Sequence, residues 1–186
     1  MSIDPKEAAA ALSDVAHVQR RTHQSITYVH SSRQFLMWGA LVAVGYLFTF
    51  FEPAHSDAGW LVVMAVGVSG SFALRIWGGP PHSRDSQLGR RLGYAQLALI
   101  AYGFVLLWLL WPITHRQLGA FWPTLVMFCH VLAGLWLGAI YVVVGVTGTA
   151  LIVAGYVWAG SWYPLWLAVS VGGGLIVSGL WLRRLS

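Results

Sequence analysis

One long stretch without charge limits what this chain can fold into more than any other feature of its sequence. Residues 117–182 contain no aspartate, glutamate, lysine or arginine, although Arg116 and Arg183 stand directly outside them. A transmembrane helix needs roughly 20 predominantly apolar residues, so the stretch has room for about three membrane crossings. A soluble domain of the same length would need charged residues on its surface. The stretch therefore predicts a membrane-embedded structure.

The composition of the whole chain extends this prediction beyond the uncharged stretch. Hydrophobic residues make up 58% of the 186 positions and charged residues 9%, and 11 residues are tryptophan. The net charge of +5 does not indicate a nucleic-acid partner, because the basic residues are scattered along the edges of apolar segments and form no dense patch. The partner that this composition predicts is the lipid bilayer.

Apolar segments of helical length divide the chain into six predicted transmembrane helices. We therefore expect an all-α membrane protein, with a bundle over residues 34–186 and spans near 35–51, 59–77, 93–113, 121–144, 147–162 and 164–182. Barrel strands are excluded because they alternate apolar and polar residues and are about half as long. In this division Gly145, Thr147 and Gly148 form the connection between the fourth and fifth spans.

The positions of arginine and lysine predict the orientation of the bundle. With six spans, the basic residues before the first span, between the second and third, and after the last all fall on one side of the membrane, and Arg75 lies near that side. Arg116 falls on the other side. The positive-inside rule then predicts cytoplasmic amino and carboxyl termini. The residues that carry this prediction are Lys6, Arg20, Arg21, Arg33, Arg84, Arg90, Arg91, Arg183 and Arg184.

A recurring pattern predicts three repeated helical hairpins, arranged around a pseudo-threefold axis. Each outward-going span has a glycine beside an aromatic residue and, further on, a proline; the glycines are Gly45, Gly103 and Gly155. Each returning span has two small residues four positions apart, which allow helix backbones to approach closely. The alternative is coincidence, because glycine and aromatic residues are abundant here. The predicted packing pairs are Gly67 with Ser71, Gly134 with Gly138, and Gly174 with Ser178.

Residues 1–33 are predicted to form an amphipathic cytoplasmic helix, which Asp4 and Pro5 begin. One face carries alanine, valine and a few larger apolar residues, which are small for anchoring in lipid headgroups. We expect this face to contact protein. Residues 5–30 pack within the same chain or a homo-oligomer, or they bind a separate cytoplasmic protein. The partner-binding face consists of Leu12, Val15, Val18, Ile26 and Val29.

Candidate residues for chemistry are few. His130, beside Cys129, lies at membrane depth and is the one candidate for holding a cofactor such as haem. A second histidine at that depth is missing from the sequence, so we interpret His130 as donating a hydrogen bond to a backbone carbonyl or to Tyr102. The spans contain no acidic residue and no catalytic motif. We predict no catalytic residue, no metal site and no cofactor.

Two further groups of polar side chains admit an alternative interpretation. His55 and His115 could meet with Glu52 or Asp57 at the outer surface, but their spacing does not demand a metal ion. Arg75 is expected to extend its guanidinium to the cytoplasmic interface while its aliphatic stem stays in lipid. Contact with an anionic lipid is the alternative for Arg75.

The sequence also resembles a group of proteins. The segments SSRQFLMWG at 31–39 and GGGLIVSGLWLRR at 172–184, together with the amphipathic start, are similar to uncharacterised small bacterial multi-pass membrane proteins. Some of these are encoded beside winged-helix transcription regulators, so the resemblance implies a sensing or regulatory role. It also implies a bacterial inner membrane location, as does the lack of sorting signals.

Three functions remain open from the sequence. The first is a non-catalytic integral membrane module for sensing, anchoring or assembly that uses its amino-terminal helix for self-association or partner binding. The second is a channel or transporter for a small neutral or lipophilic molecule, with a path along Gly67, Gly103, Gly134 and Gly155. The third is a haem-binding or lipid-modifying membrane protein. We expect that the chain is not an enzyme.

Overall fold

The computed structural model describes residues 32–77 and 87–185, and this part of the chain is helical and contains no β-strand. Six of its helices are long and apolar enough to cross a membrane, which confirms the predicted six-helix membrane protein. Residues 1–31 of the predicted amphipathic helix, with Leu12, Val15, Val18, Ile26 and Val29, lie outside the described residues, and Ser32 and Arg33 belong to the first span.

The first five spans are continuous helices, and the sixth combines several helical forms. They are α1 (Ser32–Phe51), α2 (Ser56–Trp77), α3 (Gln87–Leu109), α4 (His115–Leu137) and α5 (Ala139–Trp158). A 3-10 turn, Pro53–His55, joins the first two. The sixth span consists of a 3-10 turn (Gly160–Trp162), α6 (Tyr163–Leu167), a π-helical segment (Ala168–Gly173) and α7 (Gly174–Leu185).

The connection between α4 and α5 differs from the predicted one. The chain reverses direction at Gly138 alone. Gly138 has a φ of 129°, which glycine can adopt because it has no Cβ. The predicted connection at Gly145, Thr147 and Gly148 lies inside α5, where the two glycines pack against Met127 of α4. The predicted boundaries at 144 and 147 are therefore wrong. Glycine allows both tight turns and close helix packing, and here it does each at a different place.

The start of α4 also differs from the prediction, because the helix begins six positions before the predicted residue 121. Thr114 and Gln117 form a capping box: the Thr114 hydroxyl accepts from the Gln117 backbone N–H at 3.2 Å, and the Gln117 side chain accepts from the Thr114 N–H at 2.9 Å. These bonds satisfy backbone donors that the first helical turn leaves unpaired. The polar residues of that turn are therefore helical.

The core lies between α1, α4, α5 and the sixth span. In the sixth span, 44% of the residues in its most apolar 18-residue stretch are buried, compared with 11% in α2 and 6% in α3. The hairpins α1–α2, α3–α4 and α5–α7 therefore do not bury equal shares of the bundle, as threefold equivalence would require. The buried core residues are Phe35, Tyr46, Met127, Tyr141, Ile152, Tyr163, Leu167, Ala168, Val171, Leu175 and Leu182.

The two ends of the bundle differ in charge. The end that contains the start of α1 and the end of α7 carries Arg33, Arg75, Arg90, Arg91, Arg183 and Arg184, and we call it the arginine-rich end. The opposite end, which we call the Pro53 end, contains the α1–α2, α3–α4 and α5–α6 connections and carries Arg116. With six spans, every described arginine except Arg116 lies at the same end of the bundle. This is the uneven distribution that the positive-inside rule describes.

Candidate functional site

The predicted packing pairs have different surroundings. Gly67 lies against the Trp38 ring of α1, and the Ser71 hydroxyl accepts a hydrogen bond from Trp38 Nε1 at 3.0 Å. A Cβ on Gly134 would lie 2.5 Å from Val142 Cγ2 of α5, so this glycine allows the close α4–α5 contact. Its predicted companion, Gly138, instead forms the turn.

In the third predicted pair, Gly174 does not make a close helix contact. Gly174 has open space around it, and the Ser178 hydroxyl donates to the Gly174 carbonyl at 2.8 Å within the same helix. The close approach of the sixth span to α1 occurs instead at Gly172, where an added Cβ would lie 2.8 Å from Ala43 Cα and 2.7 Å from its Cβ. Gly179 faces the Ser32 carbonyl in the same way.

Each hairpin has a glycine on its outward-going helix that receives a tryptophan from the returning helix. This feature was not predicted. Trp60 lies against Gly45, Trp122 against Gly103 and Trp166 against Gly155. The glycines stand eight or nine residues before a proline, but the tryptophans follow that proline at a different distance each time. The spacing in the sequence therefore did not predict these tryptophan contacts.

His130 is held by a local hydrogen bond. Its Nδ1 lies 2.7 Å from the Val126 carbonyl oxygen one turn earlier, and its ring packs against Phe35 at 5.1 Å between ring centroids. This is the backbone-carbonyl contact expected from the sequence. Within the described residues, no group of three or more histidine, cysteine or acidic side chains is placed to hold a metal ion. His55 instead lies 3.8 Å from Glu52.

Most hydroxyl side chains in the described spans donate a hydrogen bond to a backbone carbonyl of their own helix. A hydroxyl that donates to the carbonyl four residues earlier leaves no exposed donor in the hydrocarbon. These hydroxyls are therefore satisfied within their own helices. The residues that bond in this way are Thr49, Ser69, Thr124, Thr149, Ser170 and Ser178.

Tyr46 and Arg116 form two of the polar contacts between helices at the Pro53 end. The Tyr46 hydroxyl of α1 donates to the Gly119 carbonyl of α4 at 2.9 Å. That carbonyl would ordinarily accept from the backbone four residues later, but the residue there is Pro123, which has no N–H. Tyr46 thus satisfies an acceptor that would otherwise lie unpaired inside the bundle.

Arg116 forms the second of these contacts. Its guanidinium donates to the Tyr156 carbonyl at 2.7 Å, in the last turn of α5, and lies over the Tyr156 and Tyr163 rings at 5.1 and 5.6 Å. A cation beside the last carbonyls of a helix is favourable because the helix dipole is negative there. The Tyr163 hydroxyl is buried and has no hydrogen-bond partner among the described residues.

A polar groove lies between α1 and α2 at the arginine-rich end. Its cavity of about 240 Å³ is lined by Gln34, Ser71, Phe72 and Arg75. The Ser71 hydroxyl lies 3.1 Å from Gln34 Oε1, so polar side chains of two helices meet here. A second groove, of about 330 Å³, lies at the start of α3 and is lined by Gln87, Arg90, Arg91 and Tyr94.

Neighbouring side chains fill the space beside the four glycines that were expected along a transport path. Gly67 is covered by Trp38, Gly103 by Leu125, and Gly155 by Trp166. Val142 covers Gly134. A path along these glycines would require each of those side chains to move, so this conformation does not favour the channel hypothesis.

The fold defines the class of protein: an integral membrane protein with six apolar helices and a packed interior. Comparisons with protein-family models, with curated proteins and with solved structures found no match.

Proposed function

We propose that this protein is a non-catalytic membrane module whose bundle anchors and positions the amino-terminal segment for binding to a second copy or to a cytoplasmic protein. The observation that carries the proposal is the filling of the bundle interior by apolar and aromatic side chains. The core includes Tyr141, Met127 and Ile152, which are at most 4% exposed. Large side chains from neighbouring helices lie against Gly67, Gly103 and Gly155.

The polar groups of the described spans support the same proposal. Hydroxyls such as those of Thr149 and Ser178, and His130 Nδ1, bond to backbone carbonyls of their own helices, so these polar groups satisfy local backbone acceptors. The carboxylates in the described part of the chain are Glu52 and Asp57, and both lie at the Pro53 end, away from membrane depth. General acid–base chemistry and cation coupling within the membrane usually rely on buried ionisable groups.

We further propose a bacterial inner membrane location with the arginine-rich end in the cytoplasm. The support is the excess of arginine at that end, since cytoplasmic loops carry more positive charge than exported ones. Residues 5–30 are then on the cytoplasmic side, where a soluble partner would meet them. A sensing role follows from the resemblance to proteins encoded beside transcription regulators.

Removal of residues 1–30 tests the proposed binding role. We expect the truncated protein to remain in the membrane with the same thermal stability, but to lose oligomer mass in native mass spectrometry or to lose proteins that co-purify with the full chain. Val15→Asp combined with Val18→Asp should reproduce the loss, because a carboxylate on the apolar face opposes packing. Gln24→Asp is the matched control, because Gln24 faces away from the apolar stripe of the predicted helix. Unchanged mass and unchanged co-purification in the truncated protein would refute the role.

A further inference from the structure

We infer that the groove between α1 and α2 at the arginine-rich end binds a phosphate group, which the headgroup of an anionic phospholipid supplies. The groove is a cavity of about 240 Å³ lined by Gln34, Ser71, Phe72 and Arg75. This inference does not depend on the binding role proposed for residues 5–30, because the groove belongs to the transmembrane bundle.

Two hydrogen-bond donors in the groove lack partners within residues 32–77 and 87–185. Gln34 Oε1 lies 3.1 Å from the Ser71 hydroxyl, which leaves the amide nitrogen of Gln34 without a bond. The Arg75 guanidinium has neither a hydrogen bond nor an ion pair in this part of the chain. An amide nitrogen and a guanidinium together favour an anionic oxygen ligand, because charge-assisted hydrogen bonds are the strong ones.

The neighbouring contacts order the Ser71 hydroxyl beside Gln34 before a ligand arrives, and its single proton goes to either Gln34 Oε1 or the Gly67 carbonyl. The Ser71 hydroxyl also accepts from Trp38 Nε1 at 3.0 Å and lies 2.8 Å from the Gly67 carbonyl. Trp38 itself is seated against Gly67. Side chains that are already ordered lose less conformational entropy on binding, so the ordered Trp38 and Ser71 wall suits the groove to a defined ligand.

The depth of the groove favours a lipid headgroup over free phosphate as the source. Arg75 lies in the last turn of α2, at the level where the apolar span ends and lipid headgroups begin. Phe72 lies three residues before Arg75 in α2, and Val68 lies one turn further from the arginine-rich end. Their side chains are 62% and 49% exposed. Positions four apart share a helix face, so an acyl chain can follow these side chains below a phosphate at Arg75.

Native mass spectrometry of the full chain with phosphatidylglycerol or phosphatidylcholine tests the site. We expect Arg75→Gln and Gln34→Leu each to weaken phosphatidylglycerol binding on the order of tenfold, and Arg75→Lys to weaken it less, because it keeps the charge. Arg184→Gln is the matched control, since it removes one exposed charge at the same end. Equal loss in Arg75→Gln and Arg184→Gln would overturn the site, because binding would then reflect surface charge alone. Unchanged melting temperatures confirm that the variants fold.

A second measurement distinguishes the two sources of phosphate. Inorganic phosphate is titrated into the protein held in phosphatidylcholine nanodiscs and followed by phosphorus NMR. Phosphatidylglycerol binding that depends on Arg75, without binding of inorganic phosphate, supports the lipid headgroup. Binding of inorganic phosphate that depends on Arg75, without preference for phosphatidylglycerol, would overturn the lipid as the ligand. Absence of Arg75-dependent binding in both measurements would overturn the inference entirely.

Discussion

The Tyr46 hydroxyl donates to the Gly119 carbonyl at 2.9 Å, and Pro123 deprives that carbonyl of its helical partner. A proline in a transmembrane helix is tolerated when another group satisfies the acceptor it leaves free. The bond joins α1 to α4 across the core. It therefore compensates for a local defect of one helix through a contact with another.

Tyr46 and Tyr163 should respond differently to the loss of their hydroxyls. Tyr46→Phe leaves the Gly119 carbonyl unpaired, so we expect it to lower the free energy of unfolding by about 1–3 kcal/mol. Tyr163→Phe removes a buried hydroxyl that has no partner among the described residues, so it should be neutral or slightly stabilising. Unfolding by denaturing detergent in mixed micelles measures both. A loss in Tyr163→Phe as large as that in Tyr46→Phe would contradict this assignment.

The glycine run of the sixth span provides a matched pair of substitutions. A Cβ at Gly172 would meet the Ala43 backbone, which cannot rotate away as a side chain can, whereas Gly174 faces open space. We expect Gly172→Ala to destabilise the bundle by about 1–3 kcal/mol. Gly174→Ala should change stability by less, or improve it, because alanine favours helix more than glycine does. The same unfolding measurement compares them, and equal effects would argue against the close α1 contact.

The hydrogen bond from the Trp166 indole nitrogen to α5 predicts a loss of stability when that nitrogen is removed. Trp166 Nε1 donates to the Leu151 carbonyl at 2.8 Å. We therefore expect Trp166→Phe to lower unfolding free energy by about 1 kcal/mol, through loss of that bond. Trp158→Phe is the control, because Trp158 is 81% exposed. Comparable losses from both substitutions would show that ring size matters and the hydrogen bond does not.

Arg116 should contribute more to stability than other exposed arginines. Its bond to the Tyr156 carbonyl and its position over two tyrosine rings predict a loss of about 1 kcal/mol in Arg116→Gln. Arg184→Gln, which removes an exposed charge at the other end, is expected to have little effect. Thermal unfolding in detergent compares the two variants. No difference between them would mean that the Arg116 contacts are weak in solution.

The sequence predicted the helical class and the number of spans because apolar length alone determines both. It did not predict the α4–α5 turn, since Gly138, Gly145 and Gly148 all stand among apolar residues and only their packing distinguishes turn from helix. The groove at Gln34 and Ser71 was also beyond prediction. Its residues are far apart in the chain, and no local pattern reports that α1 and α2 bring them together.

Single-cysteine labelling tests the six-span arrangement and its orientation most directly. In a Cys129→Ala background, cysteine replaces Asp57, His115, Ser83 or Ser186 in turn, and intact cells are treated with a membrane-impermeant maleimide. We expect labelling at Asp57 and His115, which lie at the Pro53 end, and labelling at Ser83 and Ser186 only after permeabilisation. Labelling of Ser83 and Ser186 from opposite sides, or of Asp57 and Ser83 from the same side, would contradict the arrangement.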